Sequence, residues 1–203
     1  MSREIIAILR GIETEEAEAI TGALIKAGIT RIEVPLNSPD PYESIRVMLA
    51  AHGKDAVIGA GTVLAPEQVL RLSRLGAGMV VSPDMNQRVI MATKKAGMLS
   101  YPGVVTPTEA FTALRTGADG IKLFPASLLT PSGLSAMRAV LPEGTRTYAV
   151  GGVGGSNMAE WMAAGVTGFG IGTWLYKPGY SVDEISARAR DVVAAYDTAL
   201  AQN

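Results

Sequence analysis

The feature that most constrains this chain is a repeated punctuation. An amphipathic run closes on glycine, and a short apolar run begins a few residues later. "KAGITRIEVPL", "RLGAGMVVSP", "KKAGMLSYPG", "RTGADGIKLFP" and "AAGVTGFGIG" all follow it. Gly28, Gly76, Gly97, Gly117 and Gly165 therefore read as residues just past helix C-termini, where the backbone turns left-handed and a Cβ is costly. That makes five helix-to-strand junctions.

Adding "EIIAILR", "DAVIGAGT" and "RTYAVGGV" gives eight short strands, beginning near residues 5, 31, 56, 79, 99, 120, 147 and 168. Between them lie helical patterns such as "ETEEAEAITGALIKA", "PDPYESIRVMLAAH", "PEQVLRLSRL", "NQRVIMATKKA", "PTEAFTALRT" and "SNMAEWMAA". Strands that are apolar on both faces and alternate with helices imply a parallel sheet covered by helices, either open and doubly wound or closed into a barrel. Eight units in 203 residues match the small end of the TIM-barrel range. No G-x-G-x-x-G turn follows the first strand, which argues against a dinucleotide-binding sheet. The expected fold is α/β, a (βα)8 TIM barrel, with residues 1–203 forming one domain around one core.

Composition removes several function classes. Eighteen basic and 19 acidic residues give a net charge of −1 without a basic stripe, so the electrostatic footprint of nucleic-acid binding is missing. There is no cysteine, hence no disulfide, thiolate metal site or thiol nucleophile. The single histidine, His52, falls at a helix end in "IRVMLAAHGK" and reads as structural, so no histidine-rich metal site can be built. The first apolar run has five residues before Arg10, and no stretch approaches the ~20 of a membrane span. A soluble, cytoplasmic protein with a small-molecule or protein partner is expected.

In a barrel, polar residues on the interior parity near a strand's C-terminal end are where chemistry is sought. Three strands supply them. Arg10 shares parity with Ile8, Glu33 lies between the outward-facing Ile32 and Val34, and Lys122 shares parity with Phe124 between Ile121 and Leu123. Glu33 on the second strand and Lys122 on the sixth would face one another across the barrel. A desolvated lysine has a lowered pKa, and a neutral amine forms a Schiff base with a carbonyl while a nearby glutamate moves protons. The alternative is that Arg10, Glu33 and Lys122 form a buried salt-bridge network that only fills the barrel.

A second signal comes from "AVGGVGGSN" and "GIGTW", glycine-rich at the strand ends where many TIM barrels hold phosphate. Gly151, Gly152, Gly172 and Thr173 are the phosphate candidates, helped by a helix expected to begin near Ser156; tight loop packing is the competing reading. The aromatics of "WLYKPGYS" leave three roles open: subunit interface, core packing and loop capping.

"IAILRG", "IEVPLNSP", "IGAGTVL", "IKLFPAS", "AVGGV" and "GIGTWLY" occur in the order and spacing of the 2-keto-3-deoxy-6-phospho sugar acid aldolases, and the chain resembles that family over essentially its whole length. The resemblance implies a class I aldolase that needs no metal or other cofactor. Such an enzyme cleaves a phosphorylated 2-keto-3-deoxy sugar acid to pyruvate and glyceraldehyde 3-phosphate, and its assembly is a homotrimer. It assigns Lys122 as the Schiff-base lysine, Glu33 as the general acid/base, and Arg10 and Thr62 as residues near the pyruvate carboxylate. It makes Phe124 the aromatic beside the imine, Pro102 a pocket residue, and the glycines with Thr173 the phosphate cradle. Asn37 and Val150 stand where the 6-phosphogluconate-type enzymes carry arginine and threonine, which resembles the 6-phosphogalactonate branch. The two substrates differ at C4, leaving a gluconate or dual specificity as the alternative. A sugar-phosphate epimerase and a non-catalytic assembly protein are more distant readings.

Overall fold

The computed structural model describes residues 3–202. All five junction glycines adopt the left-handed backbone, with φ of 95°, 83°, 76°, 99° and 86° in chain order. At Gly28 the N–H bonds the Ile25 carbonyl (2.9 Å) and the next N–H, of Ile29, bonds that of Leu24 (3.0 Å), so the turn that ends the helix also satisfies its last carbonyls.

The strands these junctions feed are β1 (Ile5–Ile8), β2 (Arg31–Pro35), β3 (Val57–Gly61), β4 (Met79–Val81), β5 (Leu99–Tyr101), β6 (Gly103–Val104), β7 (Ile121–Leu123), β8 (Thr147–Val150) and β9 (Gly168–Ile171). The helices are α1 (Thr14–Ala27), α2 (Pro41–His52), α3 (Pro66–Leu75), α4 (Gln87–Lys95), α5 (Pro107–Arg115), α6 (Ala126–Arg138), α7 (Met158–Ala163) and α8 (Val182–Ala201). Neighbouring strands pair in parallel in the order β5-β4-β3-β2-β1-β9-β8-β7-β6. The two ends of that order are consecutive in sequence, so the sheet curls into a TIM-like α/β barrel.

One expected strand is thus two segments, because Pro102 has no N–H to give the ladder. Its carbonyl still works: it accepts from the Lys122 N–H at 2.8 Å, while the Tyr101 carbonyl accepts from the Ser82 N–H at 3.2 Å. One side of the broken strand therefore holds β4 and the other holds β7.

The six quoted helical patterns all form helices, and two more cover the sheet. In α6 the chain breaks at Thr130 (φ 63°, ψ 160°) and restarts with Pro131. In α8 the Ser181 hydroxyl accepts the Glu184 N–H while the Glu184 carboxylate accepts the Ser181 N–H, a capping box. The helix expected from Ser156 begins at Met158 and has only six residues. His52 ends α2, and its Nε2 lies 3.1 Å from the Glu18 carbonyl, tying α2 to α1. Among the described residues no helix is long and apolar enough to cross a membrane.

Strand alternation splits the apolar side chains into two sets. Ile5, Ala7, Ile32, Val34, Ile121, Leu123 and Ala149 pack outward under the helices. Ile6, Met79, Val81, Tyr101 and Tyr148 fill the barrel, with the two tyrosines edge to face at 5.1 Å. Glu33 and Lys122 belong by parity to this inner set and lie above it.

Candidate active site

Glu33 enters the interior because Ile32 and Val34, both fully buried under the helices, fix the parity of β2. Strand β2 pairs Glu33 with Ile8 of β1 and Gly59 of β3, so the carboxylate rises between neighbouring strand ends. It packs over Gly61: a Cβ added there would lie 1.9 Å from Glu33 Oε2, so any larger residue would have to displace the carboxylate. The side chain is 1% exposed and its Oε2 has no hydrogen-bond partner in the protein. Burial pushes the carboxyl up to about 7, against the opposing pull of Lys122, Arg10 and the Gly61 N–H.

Lys122 is held from the other side. Its backbone is fixed by Pro102 and Tyr148 on the two adjoining strands, and its Nζ lies 4.5 Å from the Phe124 ring centroid. Burial lowers its pKa; Glu33 counteracts this and Arg10 reinforces it. Lys122 and Glu33 make no ion pair within 4 Å. They interact electrostatically without the direct contact of an ion pair.

Arg10 follows β1 and reaches across the ends of the next two strands. Its guanidinium donates to Asn37 Oδ1 and, at 3.5 Å, to Thr62 Oγ1. Thr62 is left-handed (φ 55°), an unfavourable conformation for a β-branched residue that concentrates at functional sites. Asn37, expected as a substrate contact, is thus engaged with Arg10.

A cavity of about 410 Å³ opens at this end of the barrel. Arg10, Lys122, Phe124 and Val150 form one part of its wall, and Gly151, Gly152, Gly172 and Thr173 another. Glu33, Asn37, Thr62 and Pro102 stand outside this wall: Glu33 beside it, Asn37 and Thr62 holding Arg10, and Pro102 acting through its carbonyl on Lys122. Gly151 and Gly152 have φ of 89° and 80°, and among the described residues none of the N–H groups of Gly151, Gly152, Gly172 and Thr173 donates to a protein acceptor. Unused amides around a cavity suit an anion.

Ile8, Val153 and Gly170 also line the cavity and were not anticipated as site residues. Ile8 was legible from its parity with Arg10. Gly170 gives room to Val150, whose Cγ2 would lie 2.7 Å from a Cβ at that position. In "WLYKPGYS", Leu175 and Tyr176 are buried and the Tyr176 hydroxyl donates to Glu16 at 2.5 Å, so packing and loop fixation account for them.

A family model described as KDPG and KHG aldolase matches residues 1–188. The chain is 50% identical over 197 residues to a protein of Rhizobium meliloti (strain 1021) named probable 2-dehydro-3-deoxy-6-phosphogalactonate aldolase, spanning 97% of this chain and 93% of that one. It is 46% identical over 196 residues to the 2-dehydro-3-deoxy-6-phosphogalactonate aldolase of Escherichia coli (strain K12), spanning 97% and 96%. A solved structure described as native KDPGal superimposes with a TM-score of 0.97 at 45% identity, over 99% of this chain and 98% of that one.

Proposed function

The chain belongs to the KDPG and KHG aldolase family, and from that premise we propose a class I aldolase that cleaves 2-dehydro-3-deoxy-6-phosphogalactonate to pyruvate and D-glyceraldehyde 3-phosphate. The observation that carries the reading is a buried lysine with a lowered pKa and a buried glutamate with one unpartnered oxygen and a pKa pushed up to about 7, at a cavity also lined by glycines whose amides are free.

The neutral Lys122 amine attacks the C2 ketone and forms a carbinolamine. Glu33, acting through water, carries the protons that let hydroxide depart as water and leave an iminium at C2. The C3–C4 bond then breaks, its electron pair flowing into the iminium, while the C4 hydroxyl gives its proton to the Glu33 carboxylate. The products at this point are glyceraldehyde 3-phosphate and a pyruvate enamine. Protonation at C3 and hydrolysis release pyruvate and return the free amine. Arg10, steadied by Asn37 and Thr62, faces the carboxylate end, Phe124 covers the imine, and the four amides receive the phosphate. Pro102 places Lys122 through its carbonyl. Val150 presents an apolar wall near C4, in keeping with the galactonate epimer named for both relatives. The reading extends to one catalytic domain over residues 1–203, a homotrimer and a cytoplasmic location.

Borohydride reduction in the presence of pyruvate tests it. A reduced pyruvyl adduct on Lys122 is expected, with none in Lys122→Ala; an adduct that never forms, or that forms unchanged in the variant, overturns the mechanism. Side-by-side cleavage of the two C4-epimeric 6-phospho acids decides the substrate, with the galactonate epimer expected to give the higher kcat/KM.

A further inference from the structure

Two segments meet at the phosphate end of the cavity: the loop 151–157 after β8 and the residues 172–174 after β9. Asn157 sits at the start of α7, where an asparagine ordinarily accepts an N–H from the first helical turn. It makes no such cap bond. Instead its Oδ1 accepts the Gly154 N–H at 3.0 Å and its Nδ2 donates to the Gly152 carbonyl at 2.9 Å. Only this amide orientation satisfies both partners, since one backbone group is a donor and the other an acceptor.

The outer side of the same loop rests on Trp174. A Cβ on Gly155 would lie 2.7 Å from Trp174 Cη2, and one on Gly154 would lie 3.4 Å from Cδ2, so the indole lies directly against glycine backbone. Trp174 is in turn anchored to α8, its carbonyl accepting from Arg188 at 3.1 Å. The loop is therefore pinned through Asn157 and supported through the residue that follows Thr173.

We propose that Asn157 is a positioning residue for the phosphate end of the substrate. By tying up the Gly152 carbonyl it keeps that acceptor away from an incoming anion and holds the left-handed Gly151–Gly152 pair with its N–H groups toward the cavity. Trp174 fixes the depth of the loop relative to Thr173. Asn157 touches no reacting atom and is on no path to Lys122. The inference rests on the phosphate-cradle reading of these amides and adds what sets their direction.

The test separates the two ends of the substrate. In Asn157→Ala, KM for the 6-phospho acid and the inhibition constant of inorganic phosphate should both rise about tenfold, the scale of losing two backbone-directed hydrogen bonds. The pyruvate concentration that half-saturates borohydride trapping on Lys122 should stay within about twofold of the parent value. Asn157→Ser, which keeps one short polar group, should fall between and remains informative if the alanine variant does not fold. Unchanged KM and phosphate inhibition in a folded variant overturn the proposal, as does an equal weakening of pyruvate trapping, which marks general destabilisation. If the parent enzyme cleaves the unphosphorylated acid as well as the phosphorylated one and ignores inorganic phosphate, the cradle reading itself fails, and this inference fails with it.

Discussion

Two glutamates point into the two ends of this barrel, and the protein treats them in opposite ways. At the end nearest the strand N-termini, Glu4 Oε2 accepts from Arg31 (2.6 Å), Arg146 (2.6 Å) and the Tyr148 hydroxyl (2.7 Å). Burial alone would raise its pKa, but Tyr148, Arg31 and Arg146 together hold it below the usual carboxylate range. At the other end Glu33 is deeper, has an oxygen with no partner, and is pushed up to about 7. A buried charge that is fully paired is locked in one protonation state and serves the fold. One left short of partners has a pKa free to match a reaction and a lone pair free for a water or substrate. The contrast, more than the mere presence of an interior acid, identifies the chemical end of the barrel.

The largest expected effect separates them by turnover. Glu33→Gln should lower kcat by roughly 10²-fold or more, as for removal of a positioned acid/base. Steady-state kinetics on the 6-phospho acid measures this, and an unaffected rate removes Glu33 from the chemistry. Next comes Gly61→Ala, which puts a methyl group where Glu33 Oε2 now lies. Displacing the carboxylate should lower kcat by about tenfold or more; normal kcat would show that the close seat on Gly61 is not what aims the carboxylate. Glu4→Gln should instead leave kcat within about twofold and lower stability by about 1–3 kcal/mol, because Arg31 and Arg146 lose their anionic acceptor. Urea unfolding measures the loss. A Glu4 variant that lost activity without losing stability would break the distinction between the two ends.

How much of this was legible in the sequence follows from what each feature depends on. The junction glycines and the apolar runs are local, and they located every strand except β6 to within a residue or so of its observed start. Lys122 and Glu33 stood out because an ionisable group amid apolar strand residues has few bland explanations. Pro102 was seen as a pocket residue, but its splitting of the fifth strand depends on which neighbour each carbonyl serves. The α6 pattern is interrupted at Thr130–Pro131, and the buried stripe of α8 includes the small residues Ala189 and Ala199, which blurs its period. Asn37 was assigned to substrate because nothing in the sequence says that Arg10 would bend across two strand ends to meet it. Which amides remain free around the cavity depends on the φ values of Gly151 and Gly152 and on the side chain of Asn157, and neither can be read from residue spacing.

The last expected effect is the pH dependence of stability, which has opposite sign at the two ends. Glu33 has a folded pKa near 7, above the unfolded value of about 4.3, so the unfolded chain releases this proton first as pH rises. The stability linked to Glu33 is complete below about 4.3 and is lost as pH climbs to about 7. Glutamine does not ionise, so the Glu33→Gln variant should match the parent in Tm near pH 4 or below and exceed it by a margin that widens as pH rises toward 8. Glu4 has a lowered folded pKa, so its contribution is present above the unfolded value and disappears as pH falls through the folded one. The Tm deficit of Glu4→Gln should therefore be full at neutral pH and close on acidification. Thermal unfolding of both variants across this range checks the pair. If Glu33→Gln instead showed a Tm deficit that was full at neutral pH and closed on acidification, Glu33 would be a satisfied structural acid like Glu4, and the division of the barrel into a locked end and a titrating end would not stand.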